Sequence, residues 1–417
     1  MSDAPKPAGR AGLLNLDEVV QRLRQAGAAR VITQAEELPT LQALHRVLAE
    51  DVRSGLDVPP ADNSSMDGYA MRTADLSCPG AVLPVTQRIP AGVVGAPLTP
   101  GSVARIFTGA QIPAGADAVV MQEQCAPVGE GSVRIDAVPV PGQWIRRRGE
   151  DIAAGATVLV RGTLLTPQAM GLAASVGRST LQVLRRPRVA LFSTGDELSM
   201  PGEPLKPGAI YNSNRFTLTG LLQASGCEVK DLGIVPDRLE ATRQALRVAA
   251  EGVDLILTSG GVSVGEEDHL KPAVRLEGTL DLWQVAMKPG KPLAFGAVQR
   301  GDGSQALFMG LPGNPVSSFI TFLLTVAPLL HALQGRPLRS CAAFPMRADF
   351  DWPHPDRRRE FLRVRCNDQG GLDLFPNQSS GVLTSTVWAD GLVDLPAQQP
   401  IARGETVRFL PWQSLLG

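Results

Sequence analysis

Three short stretches of this 417-residue chain place glycines beside carboxylates or amides directly after runs of β-forming residues. Residues 189–193 lead into Ser193-Thr194-Gly195-Asp196-Glu197. Residues 254–258 lead into Ser259-Gly260-Gly261-Val262-Ser263-Val264-Gly265, followed by Glu266, Glu267 and Asp268. Residues 306–309 lead into Gly310-Leu311-Pro312-Gly313-Asn314-Pro315. Glycine turns let backbone N–H groups close on phosphate oxygens, and a helix starting after Asn314 adds its positive end. Carboxylates beside phosphate repel it unless a hard cation such as Mg²⁺ bridges the two. Lys288 and Lys291, in Met287-Lys288-Pro289-Gly290-Lys291-Pro292, add positive charge on a proline-stiffened turn. The chemistry indicated is a phosphate-and-metal site; taken singly, each exit is equally an ordinary strand-to-helix turn with a capping acid.

These residues need a scaffold that gathers strand exits. From residue 188, strand and helix patterns alternate: strands at 189–193, 228–235, 254–258, 282–287 and 306–309, with helices at 214–225, 239–250 and 316–333. Such alternation predicts a mostly parallel sheet covered on both faces, with ligands outside the carboxyl ends of its strands. Asn314 and Pro315 read as the cap and first turn of helix 316–333, and Pro328 predicts a kink or break near 325–327. Upstream, 13–26 and a segment after Thr40, burying Leu41, Leu44, Val47 and Leu48, read as helices. Residues 57–148 are Pro- and Gly-punctuated short strands; 151–187 mix a strand at 158–160 with a helix at 167–176; after Pro337 the pattern returns to β.

The 40 Lys and Arg nearly cancel the 41 Asp and Glu, which excludes a general nucleic-acid or membrane-surface binder. Five isolated cysteines (78, 125, 227, 341, 366) include no C-x-x-C pair, arguing against a thiol metal site and for a reducing compartment. Residues 1–10 contain no apolar signal core, and the longest apolar segment, 316–330, falls short of the roughly 20 residues of a spanning helix. A cytoplasmic protein is expected.

The strings at 259–265, 288–292 and 311–315 resemble the molybdopterin-binding domain of the MoeA-type molybdopterin molybdenumtransferases. Pro59-Pro60-Ala61-Asp62-Asn63-Ser64-Ser65-Met66-Asp67-Gly68-Tyr69-Ala70, Arg105-Ile106-Phe107-Thr108-Gly109-Ala110, Arg146-Arg147-Arg148-Gly149-Glu150-Asp151-Ile152 and Asn377-Gln378-Ser379-Ser380 resemble further signatures of the same family, in the same order. The resemblance implies a multidomain α/β protein: an N-terminal linker and dimerisation domain from 11–56 plus 150–186, a β-rich lobe at 57–149, a three-layer α/β/α molybdopterin-binding domain at 187–335, and a C-terminal β-barrel-like domain at 336–417. It implies an enzyme of molybdenum-cofactor biosynthesis that inserts molybdate into adenylated molybdopterin with release of AMP, works as a homodimer, requires Mg²⁺, and transiently meets other proteins of the pathway.

Carried over residue by residue, the resemblance puts Asp62, Thr108, Asp151, Glu197, Asp237, Asp268, Lys288 and Ser380 in or beside the cleft. Glu197 and Asp268 are assigned the metal and phosphate region, and Lys288 a phosphate or molybdate oxygen. The turns carrying Ser259, Gly260, Gly261, Ser263 and Gly265, and Pro312, Gly313 and Asn314, with Lys291, are assigned the pterin phosphate. Asp62 and Thr108 are expected to act across the dimer. Asp62 is otherwise an Asx-turn residue, and Asp237 a cap for helix 239–250. Many relatives carry a lysine where this chain has Gln284, so one cation is missing from the expected anion site; Arg146–Arg148 either compensate or form a solvated turn. The four histidines read as packing, surface or loop residues. Two rivals remain, the adenylyltransferase that shares the sheet domain and a gephyrin-like scaffold; the flanking signatures oppose the first and the acids and Lys288 the second.

Overall fold

The computed structural model describes residues 13–262, 269–337 and 341–416, which fall into two compact units. One comprises residues 13–36, 45–47 and 184–416; the other, 37–44 and 48–183.

The first unit is built on a six-stranded sheet in the order Glu228–Val235, Arg188–Thr194, Leu255–Ser259, Gln305–Leu311, Pro292–Gln299, Gly278–Gln284. The first four strands run parallel to one another and only Pro292–Gln299 runs against both its neighbours, so the sheet is mostly parallel. Leu255–Ser259 is buried at every position, as a central strand covered on both faces must be. Helix Leu239–Ala250 covers one face with Leu246, Ala249 and Ala250. The other face packs on helix Leu16–Ala28, helix Ser213–Ala224 and the apolar helix Pro315–Leu333. This last helix is long and apolar enough to cross a membrane, but 83% of its apolar window is buried inside the protein.

Pro328 does not break that helix. The turn before it widens to a π-helical segment, Phe322–Val326, and α-helix resumes at Ala327. A proline has no N–H to give the carbonyl four residues back and its ring crowds that carbonyl, so a wider turn lets the helix continue. Helix Leu16–Ala28 is capped by Asn15, whose side chain accepts from Asp17 N–H at 2.8 Å. It packs so closely on Pro315–Leu333 that a Cβ at Gly27 would stand 2.8 Å from Ala332 Cβ.

Strands Phe344–Ala348, Arg359–Cys366, Gly371–Leu374, Gly391–Leu395 and Thr406–Pro411 close into a barrel, since Arg359–Cys366 pairs with both Gly371–Leu374 and Gly391–Leu395. Asp394, 4% exposed, receives both arms of Arg359 at 2.6 and 2.7 Å and Arg408 at 3.1 Å, and Arg359 also reaches Asp17 of helix Leu16–Ala28. A buried carboxylate persists only when so paired.

In the second unit a curled six-stranded sheet runs Ala118–Met121, Gly68–Met71, Val103–Ile106, Ala81–Ile89, Ser132–Ile135, Cys125–Val128. Two apolar clusters fill its faces, one around Ile106 and Val119 and the other around Val103 and Val120. A third core joins Leu48, Val52 and Leu165 with helix Pro167–Ser175. The helix expected after Thr40 is absent. A single 3₁₀ turn, Thr40–Gln42, takes its place, Leu41 is 91% exposed, and His45 adopts φ 59°. A left-handed residue ends any right-handed helix there, so the apolar spacing at 41–48 is not a helical face. Among the elements missing from the sequence reading are helix Leu270–Glu277 and strand Pro292–Gln299.

His331, near the end of helix Ala327–Leu333, is pushed down to about 4 by burial, with Arg336 and then Arg24 as neighbouring positive charges. A histidine depressed from 6.5 stabilises the fold fully above pH 6.5, and that contribution is lost as pH falls through 4. Between those values stability is expected to fall by on the order of 3 kcal/mol. His331→Leu, followed by chemical denaturation at stepped pH, should flatten that stretch; an unaltered slope would exclude His331 as its cause.

Candidate functional site

Ser193, Ser259 and Leu311 stand side by side at the carboxyl ends of three parallel strands. The turns beyond them are stitched together: Gly260 N–H donates to the Leu311 carbonyl at 3.1 Å. Gly260 and Gly261 take φ 92° and 66°, where only glycine is comfortable. A Cβ at Gly260 would lie 2.9 Å from the Thr194 carbonyl oxygen, one at Gly261 2.9 Å from Leu270 Cβ, and one at Gly310 2.5 Å from Val262 Cγ1. These three glycines are thus required by the protein's own packing. Gly313 differs, because a Cβ there would meet only Gly260 Cα, at 3.8 Å. Among the described residues, Gly313 has no other neighbour there.

Two asparagines absent from the sequence reading hold this edge. Asn214, on helix Ser213–Ala224 and buried, donates its Nδ2 to Ser259 Oγ and to the Gly313 carbonyl, both at 2.7 Å. Asn212 caps the same helix by accepting from Arg215 N–H at 3.2 Å, and its Oδ1 also lies 3.4 Å from Ser193 Oγ. The available signal was Asn212-Ser213-Asn214 at a helix start, two amides one residue apart.

Asn314 occupies the N-cap position of helix Pro315–Thr321 but makes no side-chain cap bond. The Ser380 carbonyl does part of that work, accepting from Val316 N–H at 3.0 Å. Beside it lies Arg363, 1% exposed, with Nε 3.1 Å from Ser385 Oγ and Nη2 3.1 Å from the Ser379 carbonyl. No carboxylate pairs with Arg363 among the described residues, and burial alone pulls its guanidinium down to about 10. The sequence alone did not single it out.

Lys288 lies on the two-residue strand Met287–Lys288, parallel to Arg359–Glu360. Its Nζ is 3.0 Å from Glu360 Oε1 and 3.5 Å from Asp356 Oδ2. Glu360 is 1% exposed, so Lys288 is the counter-ion of a buried acid and not a free point charge. The Arg358 side chain, before all else, holds the Asp356 carboxyl well below the usual range. Gly290 presses on Thr321, bringing the 288–291 turn against helix Pro315–Thr321. Lys291 and Gln284 are both exposed.

Glu197 is exposed and folds back over Gly195, where a Cβ would come within 2.5 Å of its Oε2. With Asp196, Glu203 and Lys206 it lines a cavity of about 610 Å³. Asp196 accepts from Asp237 N–H at 3.2 Å, so Asp237 belongs to the same carboxyl edge. It is not a helix cap: Arg238 holds that position and no side chain caps the helix. The structure therefore brings Glu197, Asp237, Ser259, Gly260, Gly261, Pro312, Gly313, Asn314 and Ser380 to one edge. Ser263, Gly265 and Asp268 lie outside the described residues. Among those described, no three His, Cys, Asp or Glu side chains converge on a metal position.

In the other unit, Asp62 accepts Arg148 N–H at 2.8 Å and Arg147 Nη1 at 2.7 Å. The Arg148 backbone bond, ahead of the Arg147 contacts, holds its carboxyl below the ordinary value. Its partners are 85 and 86 residues away, unlike those of a local Asx-turn. Arg148 also pairs with Asp57 at 2.6 Å, so Arg147 and Arg148 are committed within this unit. Thr108 donates N–H and Oγ to Asp67 Oδ1 at 2.8 and 2.9 Å. Ile112 N–H to Asp62 O and Gly109 N–H to Ser64 O tie the two signatures into one edge. Asp151 is exposed, and its N–H donates to the Val58 carbonyl.

Residues 14–177 match the MoeA N-terminal region (domain I and II), residues 190–332 a probable molybdopterin binding domain, and residues 345–412 the MoeA C-terminal region (domain IV). The molybdopterin molybdenumtransferase of Haemophilus influenzae is 40% identical over 394 residues, covering 92% of this chain and 96% of the relative. That of Bacillus subtilis is 34% identical, covering 88% and 87%. The solved molybdopterin biosynthesis moeA protein of Pyrococcus horikoshii superposes with a TM-score of 0.82 at 28% identity, over 96% of this chain and all of that one.

Asn214→Leu should cost about 2 kcal/mol by leaving Ser259 Oγ and the Gly313 carbonyl without their donor. Asn214→Asp, which cannot donate when ionised, should not rescue it. Urea midpoints for the two variants give the answer, and a wild-type midpoint in Asn214→Leu would show that the amide does not hold the turns together.

Proposed function

Because the chain belongs to the MoeA family of molybdopterin molybdenumtransferases, we propose that it inserts molybdenum into molybdopterin, taking molybdate and adenylated molybdopterin and releasing AMP. The observation that carries the oxyanion half of this reading is Arg363. Burying a guanidinium without a counter-ion is costly, and an anion drawn to it recovers that cost. It sits beside Ser379 and Ser380, whose backbone meets the start of helix Pro315–Leu333, a second source of positive potential. A molybdate dianion there would be held by Arg363, Ser380 and the helix end. This supplies a cation that the Gln284 position lacks.

The pterin phosphate is assigned to the turns 260–261 and 312–314, where Gly313 leaves the backbone open. Magnesium fits the donor set in one way: Mg²⁺ needs only one or two carboxylates, with phosphate oxygens and water completing its shell, and Glu197 offers an exposed carboxylate with no ion-pair partner among the described residues. Bound there, it would neutralise charge on the bridging phosphate as AMP leaves. Asp62 is proposed as a group that acts ionised, since its hydrogen bonds stabilise the carboxylate. Thr108, whose hydroxyl is oriented by Asp67, is proposed as its companion. A homodimer, a cytoplasmic location and transient contact with other proteins of the pathway complete the proposal.

The purified chain should release AMP from adenylated molybdopterin only when molybdate and Mg²⁺ are both present; no release under those conditions overturns the reading. Arg363→Gln should raise the molybdate concentration for half-maximal release at least about tenfold, consistent with losing a charge-assisted contact. A variant that melts like the wild type and keeps its molybdate dependence would remove Arg363 from the oxyanion site.

A further inference from the structure

One outward patch of the barrel is left unused by the proposed roles. Arg365, on strand Arg359–Cys366, is exposed and holds its guanidinium 4.6 Å from the centroid of the Trp388 ring. Trp388 ends the short helix Thr384–Trp388 and meets Phe375 edge to face, with ring centroids 5.2 Å apart at 67°. Pro376 follows Phe375 at the surface, and Val387 is 86% exposed. The two sides of the helix differ. Its inner side carries Ser385, which is fully buried and accepts from Arg363 Nε at 3.1 Å. Val387, on the outer side, contributes nothing to the core.

The side-chain polar atoms of this patch are all donors. Among the described residues the Arg365 guanidinium has neither an ion pair nor a hydrogen bond, and the Trp388 indole N–H has no acceptor. The acids beside Arg365 are committed to amides. Asp373, its register partner, accepts from Asn367 Nδ2 at 3.0 Å, and Asp390 accepts Cys366 N–H at 2.9 Å. Stacking on the indole holds the guanidinium in place without neutralising it. Unmatched donors around exposed apolar surface are complementary to apolar side chains flanked by carboxylates. Trp and Arg are also the residue types that dominate binding energy at protein interfaces. Small-molecule sites are concave and enclose their ligand, whereas a chain segment can lie along an open ridge such as this one.

We propose that Arg365, Trp388, Phe375 and Val387 form a docking surface for a segment of a partner protein in which acidic and apolar residues are interleaved. Its carboxylates take the Arg365 guanidinium and the Trp388 indole N–H, and its apolar side chains cover Val387 and Phe375. This gives the proposed contact with other proteins a place and a chemistry, and it rests on that contact, not on the reaction.

The probe is a short capped peptide of alternating Asp and Leu, with alternating Lys and Leu as comparison. Each is titrated into the full chain while the Trp388 indole N–H is followed by NMR, its signal assigned by its loss in Trp388→Phe. The acidic peptide should move that signal and the basic one should not. Arg365→Gln should weaken the acidic peptide about tenfold or more, the loss of one charge-assisted contact. Being an exposed substitution, it keeps the test available if Trp388→Phe does not fold. A signal unmoved by millimolar acidic peptide, or moved equally in Arg365→Gln, overturns the proposal. So does movement on adding AMP or on diluting the chain alone, which would assign the patch to a nucleotide or to a second copy. Molybdate-dependent AMP release should be the same in Arg365→Gln as in the wild type. If the wild type binds the acidic peptide here but releases no AMP with molybdate, the insertase reading fails and the docking surface survives.

Discussion

The helix Pro315–Leu333 has to be covered around most of its circumference, and the arrangement of its unit follows from that requirement. Val316, Ile320, Phe322, Leu323, Val326, Leu329 and Leu330 are all essentially buried. No single neighbour can cover so much apolar surface. The sheet, helix Leu16–Ala28 and barrel residues such as Phe361 and Leu410 join in one core around it. Because the body of the helix is fixed from several sides, its first turn is fixed too. That turn lies where Gly313, Ser380 and the strand exits meet. The site is therefore placed by apolar burial and only trimmed by hydrogen bonds.

Two arginines on one barrel strand, Arg359 half-buried and Arg363 fully buried, show how the same chemistry is divided. Arg359 is matched by Asp394 and Asp17 and raised above its ordinary value, chiefly by its hydrogen bonds to Asp394. Arg363, four residues further along the strand, has only neutral oxygens around it among the described residues and is lowered by burial. The first is a tie between elements, stable because each charge has its opposite. The second keeps an unmet demand for negative charge. Lys288 belongs with the first kind, since Glu360 would otherwise be an isolated buried carboxylate. Positive residues that look interchangeable in sequence are separated by who neutralises them.

What was legible in the sequence follows from the same distinction. Parallel strands and long amphipathic helices repeat a period over many residues, so 228–235 and 239–250 coincide with Glu228–Val235 and Leu239–Ala250. The stretch after Thr40 carried a helical spacing too, but one left-handed residue at His45 overrode it. A backbone angle of that kind has no periodic signature. The ordered signatures identified the family, and the alternation of strands and helices the mostly parallel sheet. They could not show that Asp237 is bonded to Asp196, nor that Asn214 joins Ser259 to Gly313 across intervals of 45 and 99 residues. Partners so distant are set by the fold, and residue type alone does not name them.

The glycines sharpen this point. A glycine in a phosphate-binding turn can be there to let a ligand approach or to let the protein approach itself, and the two readings are identical in sequence. At 260, 261 and 310 any added methyl group would collide with Thr194, Leu270 or Val262. Those residues are accounted for before any ligand is considered. Gly313 has no such neighbour among the described residues, and its carbonyl is held by Asn214. Of the glycine-bearing turns described, the one at 312–314 is thus the one whose missing side chain the packing among the described residues does not require.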